Sequence, residues 1–121
     1  MKQFTALAAF ALSSIICFNY KKDKICGVNL GGWLVLEPWI TPSLFEPFKG
    51  KSEGKMAVDE YTYTKILKHK AKPILESHWK NFVTEKDFLI LKHAGINHVC
   101  IPVGYWAFNK TKKELFINES L

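Results

Sequence analysis

The residues best suited to chemistry stand in Gly27 to Glu46, which reads GVNLGGWLVLEPWITPSLFE. Glu37 lies there between Trp33 and Trp39, an acceptor for hydroxyl groups set between two flat apolar faces. That combination suits a polar ligand with stackable faces, such as a sugar. A second aromatic run, Gly104-Tyr105-Trp106-Ala107-Phe108, repeats the pattern without a carboxylate. Cutting a glycosidic bond with two carboxyl groups needs a pair roughly 5 to 5.5 Å apart for retention or ~6.5 to 9.5 Å for inversion, one of them kept protonated. No such pair is legible. Glu46, Glu53, Glu76, Glu85 and Glu114 fall in loop or helix-surface contexts, and Asn118-Glu119 lies in a charged tail beyond the last predicted strand. Asp59 and Glu60 are adjacent, so their side chains diverge, and both are explained by the dipole of the helix they begin. No serine or cysteine nucleophile with a base, no phosphate-binding glycine loop and no zinc-ligand spacing occurs, so no metal is expected.

The elements that must position these loops can be read from spacing. Gly27 to Leu30 reads as a short buried strand ended by Gly31-Gly32, and Pro38 and Pro42 keep the ensuing loop from becoming a helix. Phe45 to Val58 has glycines, charges and no periodicity, which predicts surface loop. A helix runs from Asp59-Glu60 to about Lys70 with Tyr63, Ile66 and Leu67 on one face. Pro73 opens the next, where Ile74/Leu75, His78/Trp79 and Phe82/Val83 make an apolar stripe and His78 is read as a packed, hydrogen-bonded residue. Thr84 and Asp87 resemble a capping box, while Lys92, His93 and Gly95 suit the end of that third helix. Ile96 to Val103 reads as a second strand, with regular pairing ending near Pro102. Strand, helical connection, strand is a right-handed βαβ unit of the α/β class: its strands are parallel and both aromatic loops leave the same end.

At 121 residues, 48% apolar and 23% charged, the chain supports one core. Its net charge of +6 comes from 17 lysines with no arginine, which argues against a nucleic-acid partner, since base and phosphate reading favours the arginine fork. Met1-Lys2-Gln3 followed by the apolar run Phe4 to Phe18 has the order of a secretory signal over 1–18 and is short of the ~20 residues a membrane span needs. Stable membrane insertion is therefore not expected, and secretion is. The sequons at Asn109 and Asn118 agree with that route. With Cys17 in the signal, Cys26 and Cys100 remain, and two unpaired thiols are favoured because each lies in or beside a strand whose side-chain direction must match for a bridge.

The Gly27 to Glu46 stretch, with Asp59-Glu60-Tyr61-Thr62, His78-Trp79, Phe82 to Phe88, Ala94-Gly95-Ile96-Asn97 and Ile101 to Phe108, resembles the N-terminal part of the secreted yeast exo-β-1,3-glucanases of glycoside hydrolase family 5. The resemblance implies a (β/α)8 TIM barrel, of which 19–121 holds only the first two βα units. It implies retaining hydrolysis of the polysaccharide β-1,3-glucan in the cell wall, without a cofactor. Glu37 would then hold sugar hydroxyls, Trp39 would line the glucose pocket where tyrosine is frequent, and Tyr105 and Trp106 would belong to the second barrel loop. Both catalytic carboxylates of that family lie beyond residue 121, so the chain alone is expected to be inactive and, with an open barrel edge, to fold poorly. Cys100 occupies the position of an arginine that supports the nucleophile, and Cys26 one where arginine is common, which cysteine cannot replace as a fork of donors. Together with the early end, these changes suggest a decayed or truncated gene copy, or a sequencing artefact. Two other readings are a non-catalytic glucan-binding wall protein and a basic membrane-surface segment anchored by Phe4 to Phe18.

Overall fold

The computed structural model describes residues 16–20 and 23–117. The start of the expected signal and the Asn118 sequon lie outside them. Three strands form one sheet in the order β1 (Ile16–Tyr20), β2 (Asp23–Asn29), β3 (His98–Cys100). β2 and β3 are parallel, with Gly27 opposite His98, Val28 opposite Val99 and Asn29 opposite Cys100, as the βαβ reading requires. β1 is antiparallel to β2, with Cys17 opposite Cys26. This hairpin was not expected, because the apolar run containing β1 carries the same pattern as a targeting segment. β3 is shorter than the predicted Ile96 to Val103: Pro102 has no backbone donor, and pairing stops at Cys100, whose carbonyl accepts from Leu30 N–H at 2.8 Å.

Asn97 prepares that strand. Its Oδ1 accepts from Cys26 N–H at 2.8 Å, its Nδ2 donates to Lys24 O at 2.8 Å, and its own N–H donates to Cys26 O at 3.0 Å. Cys26 therefore lies level with Asn97, three positions before Cys100 and on the opposite side of the pleat, and no Cys26–Cys100 bridge forms.

The connection holds more structure than a loop and helices. The stretch Phe45 to Val58, expected as surface loop, contains part of α1 (Pro42–Phe45) and a 3₁₀ turn (Glu46–Phe48), and buries Phe45, Phe48 and Ala57. Phe45 and Phe48 each meet the Tyr63 ring edge-on at 5.5 Å, a contact with a residue far along the chain that local periodicity does not reveal. α2 (Glu60–Leu67) starts from Asp59, whose side chain accepts from Thr62 N–H at 2.7 Å while Thr62 Oγ1 accepts from Asp59 N–H at 3.1 Å. It ends at Lys68, where φ is 51°, and a 3₁₀ turn (Lys68–Lys70) replaces the last turn expected of it. α3 (Ala71–Phe82) begins two residues before Pro73, not at it, and Pro73 is tolerated because first-turn N–H groups have no intrahelical acceptor. α4 (Glu85–His93) has the expected box from Thr84 and Asp87 and stops at Gly95, φ +81°.

The buried residues form two clusters. One gathers Leu34, Leu36, Phe45, Phe48, Ala57, Tyr63, Ala71, Leu75 and Trp79 under the first loop, and the other joins Val28 and Leu30 of β2 and its loop to Val83 and Leu91. Trp33 packs against both and donates its Nε1 proton to Trp79 O at 2.7 Å. Trp79 Nε1 finds no acceptor among the described residues.

Candidate functional site

The first loop is folded over Glu37. Gly32 sits at φ +70° and donates its N–H to Glu37 Oε1 at 3.0 Å. Glu37 O receives Ile40 N–H and Thr41 N–H, both at 2.9 Å, and Thr41 Oγ1 at 3.1 Å. Gly31 is needed for the approach: a Cβ there would stand 2.7 Å from Glu37 Oε1 and 2.9 Å from Ile40 Cδ1. From beneath, His78 Nε2 bonds Gly32 O at 2.7 Å, so His78 is the packed, hydrogen-bonded residue its stripe predicts. Burial holds its pKa below the ordinary histidine value, against the opposing effect of that bond. Glu37 is half-buried, and Trp39 projects from the loop with 77% of its surface exposed.

The second loop follows β3 through Pro102 to a 3₁₀ turn (Tyr105–Ala107). Gly104 is buried beneath the Trp106 ring, which leaves no room for a Cβ. Phe116 stacks on Trp106 with ring centres 4.1 Å apart and planes 7° from parallel. Tyr105 stands edge-on to Trp106 at 5.4 Å, is 59% exposed and donates its hydroxyl proton to Glu114. That bond raises the Tyr105 phenol and lowers the Glu114 carboxyl from their usual ranges. Of the aromatic residues expected to meet a sugar, Trp39 and Tyr105 are thus open to a ligand, while Trp106 is packed against Phe116 and Tyr105; Phe108, 76% exposed, is a further open face of the second loop.

Glu60, assigned to the helix dipole from sequence, has a different place. Only 3% of its surface is exposed, its Oε2 accepts from Leu36 N–H at 3.0 Å and its Oε1 from Trp106 Nε1 at 3.0 Å. Burial pushes its pKa up to about 7, the bonds from Leu36 and Trp106 oppose that, and the charge of Asp59 adds to it. A sequence signal was present: Glu60 precedes Tyr63 and Thr64 by three and four residues and so shares their buried face.

Cys100, in the position where the resemblance implies arginine, is exposed opposite Asn29. Asn109 is exposed after the second loop. Among the described residues there is no cluster of metal-ligating side chains, and no helix is long and apolar enough to cross a membrane.

No family model matches the chain. Curated relatives do. It is 57% identical over 90 residues to the probable glucan 1,3-beta-glucosidase A of Aspergillus clavatus, covering 74% of this chain and 20% of that protein. It is 50% identical over 101 residues to glucan 1,3-beta-glucosidase 2 of Wickerhamomyces anomalus, covering 83% and 23%. With the glucan 1,3-beta-glucosidase of Blumeria graminis it shares 41% over 125 residues, covering 94% and 29%. Among solved structures, the crystal structure of AoRut superposes with a TM-score of 0.70 at 31% identity, over 84% of this chain and 27% of that one. The chain therefore spans from about a fifth to less than a third of the proteins it matches, and the similarity runs over most of its own length.

Proposed function

We propose that this relative of the fungal glucan 1,3-beta-glucosidases forms the opening strands and the glucan-holding wall of a (β/α)8 barrel whose whole hydrolyses β-1,3-glucan with retention, in the cell wall or outside the cell. The observation that carries this is the parallel β2–β3 pair, which sends the Trp39 loop and the Tyr105 loop off the same end of the sheet. Glu37 Oε1 is engaged with Gly32, so Oε2 is the oxygen offered to a sugar hydroxyl. Trp39 and Tyr105 supply stacking faces, and Trp106 supports Tyr105 from the side.

Holding is the role of these residues and cutting is not. Glu60 retains its proton to near neutrality as a general acid would, yet it is buried with both oxygens taken by Leu36 and Trp106, which withdraws it from a ligand. Saturable retention of the 121-residue chain on insoluble β-1,3-glucan, lost in Trp39→Ala/Tyr105→Ala, is expected, with no glucose released from laminarin. Retention no better than that of an unrelated lysine-rich protein would sink the holding role, and glucose release would sink the division between holding and cutting.

A further inference from the structure

Two loops that grip one ligand must keep a fixed distance from each other, and hydrogen bonds within each loop cannot supply it. The first loop closes on its own backbone through Glu37, and Tyr105 of the second is tied to Glu114. Glu60 belongs to neither loop. It is the first residue of α2, whose start is fixed independently by the Asp59–Thr62 box. From that anchor one oxygen reaches the first loop at Leu36 and the other the second loop at Trp106, each at 3.0 Å.

We propose that Glu60 is a positioning residue that sets the spacing of the two aromatic loops and so the distance between the Trp39 and Tyr105 faces. The chemistry fits the task. Once ionised, above about pH 7, the Glu60 carboxylate is an acceptor with two oxygens in a fixed fork, and each oxygen faces one donor from a different loop. Glutamine has the same shape but presents one acceptor and one amide donor, so one of the two N–H groups would meet another donor. Trp106 can transmit the position because it has little freedom: Gly104 lies against its ring, Phe116 stacks on it at 4.1 Å, and Tyr105 abuts it at 5.4 Å. A shift of the indole therefore moves Tyr105. The charged group acting on Glu60 is Asp59, beside it on the same helix start, and the groups facing it from the loops are the neutral donors of Leu36 and Trp106.

The use made of this spacing rests on the glucan-holding role proposed above, while the spacing itself is tested without glucan. In the full chain labelled with ¹⁵N, the Trp106 indole N–H resonance, assigned by its loss in Trp106→Phe, should titrate with Glu60 near pH 7. In Glu60→Gln that titration should vanish and the resonance should move upfield, with the other indole signals and the far-UV circular dichroism unchanged. Above about pH 7, where Glu60 is ionised, retention on β-1,3-glucan should weaken roughly tenfold in Glu60→Gln, the loss expected for one charge-assisted hydrogen bond. Glu60→Asp, which keeps the fork but shortens the reach, should keep the titration while also weakening retention. An unchanged Trp106 resonance in Glu60→Gln would overturn the positioning role whether or not the chain binds glucan. So would a Trp106 shift with undiminished retention, since the spacing would then not matter to the grip. Should Glu60→Gln unfold, the Trp106→Phe chain, which loses the indole donor together with part of the ring, replaces it: full retention refutes the tie, and weakened retention with unchanged far-UV circular dichroism supports it.

Discussion

Along β2 and its loop, Val28, Leu30, Leu34 and Leu36 are 3 to 7% exposed, while along β3 and its loop Val99, Ile101 and Val103 are 38 to 40% exposed. The two stretches are alike in sequence, Ile25-Cys26-Gly27 to Trp33 against Val99-Cys100-Ile101 to Trp106, so composition does not separate them. Neighbours do. β2 has a strand on each side, whereas β3 ends the described sheet. The first loop takes its shape from buried leucines, its own backbone and the ties of Gly32 to His78 and of Leu36 to Glu60, and the second depends on contacts brought by Glu60, Phe116 and Glu114. Burial is thus a property of the surroundings a pattern meets, not of the pattern.

The sharpest break of that contrast is in the core. Leu75→Ala, beneath the first loop at 0% exposure, should cost about 2 to 5 kcal/mol in urea unfolding, whereas Ile101→Ala should cost less than about 1 kcal/mol. Equal losses would mean that the second unit is as well packed as the first. Next in size is the bridge between them. The Glu60 carboxyl binds its proton more tightly when folded, at about 7, than at its ordinary value of 4.5, so folding takes up a proton between those values. Stability is full below that window and falls by roughly 3 kcal/mol as pH rises through it, and Glu60→Gln should flatten the fall. A stability that rises across the same window would show that Glu60 is not buried as described. The smallest effect compares caps that serve the two sides: Asp59→Ala and Thr84→Ala should each lower the urea midpoint by the equivalent of about 1 kcal/mol, because both remove an N-terminal box. A loss for Asp59→Ala well above that for Thr84→Ala would show that its box also supports the Glu60 tie.

What was legible in the sequence is what is decided within one turn of chain. The Thr84–Asp87 box, the left-handed Gly95 and the inward His78 come from local geometry and helical spacing. The parallel pairing was legible too, because a helical crossover leaves the strands little alternative. Phe45 and Phe48 were missed because their burial is made by Tyr63, and Glu60 because an acid in a first turn has a sufficient local explanation. β1 was missed because an apolar run before a strand reads equally as a targeting segment or as that strand's partner. Of the site, Glu37 and Trp39 could be placed in one loop, but the covering of Trp106 by Phe116 depends on how a charged, aperiodic tail turns back.

Asn97 adds to the β2–β3 pair a rung made of side chain. Its partners Cys26 and Lys24 stand 71 and 73 residues earlier, so the rung closes only after nearly all the intervening chain has been gathered. Since closure entropy grows by only about 0.6 kcal/mol per doubling of length, the cost lies less in the distance than in finding the right alignment. A strand slipped by one residue would turn its side chains to the wrong face and carry the Asn97 amide away from both partners at once. The rung is therefore specific to the observed register: it adds to that pairing two hydrogen bonds that a slipped one lacks.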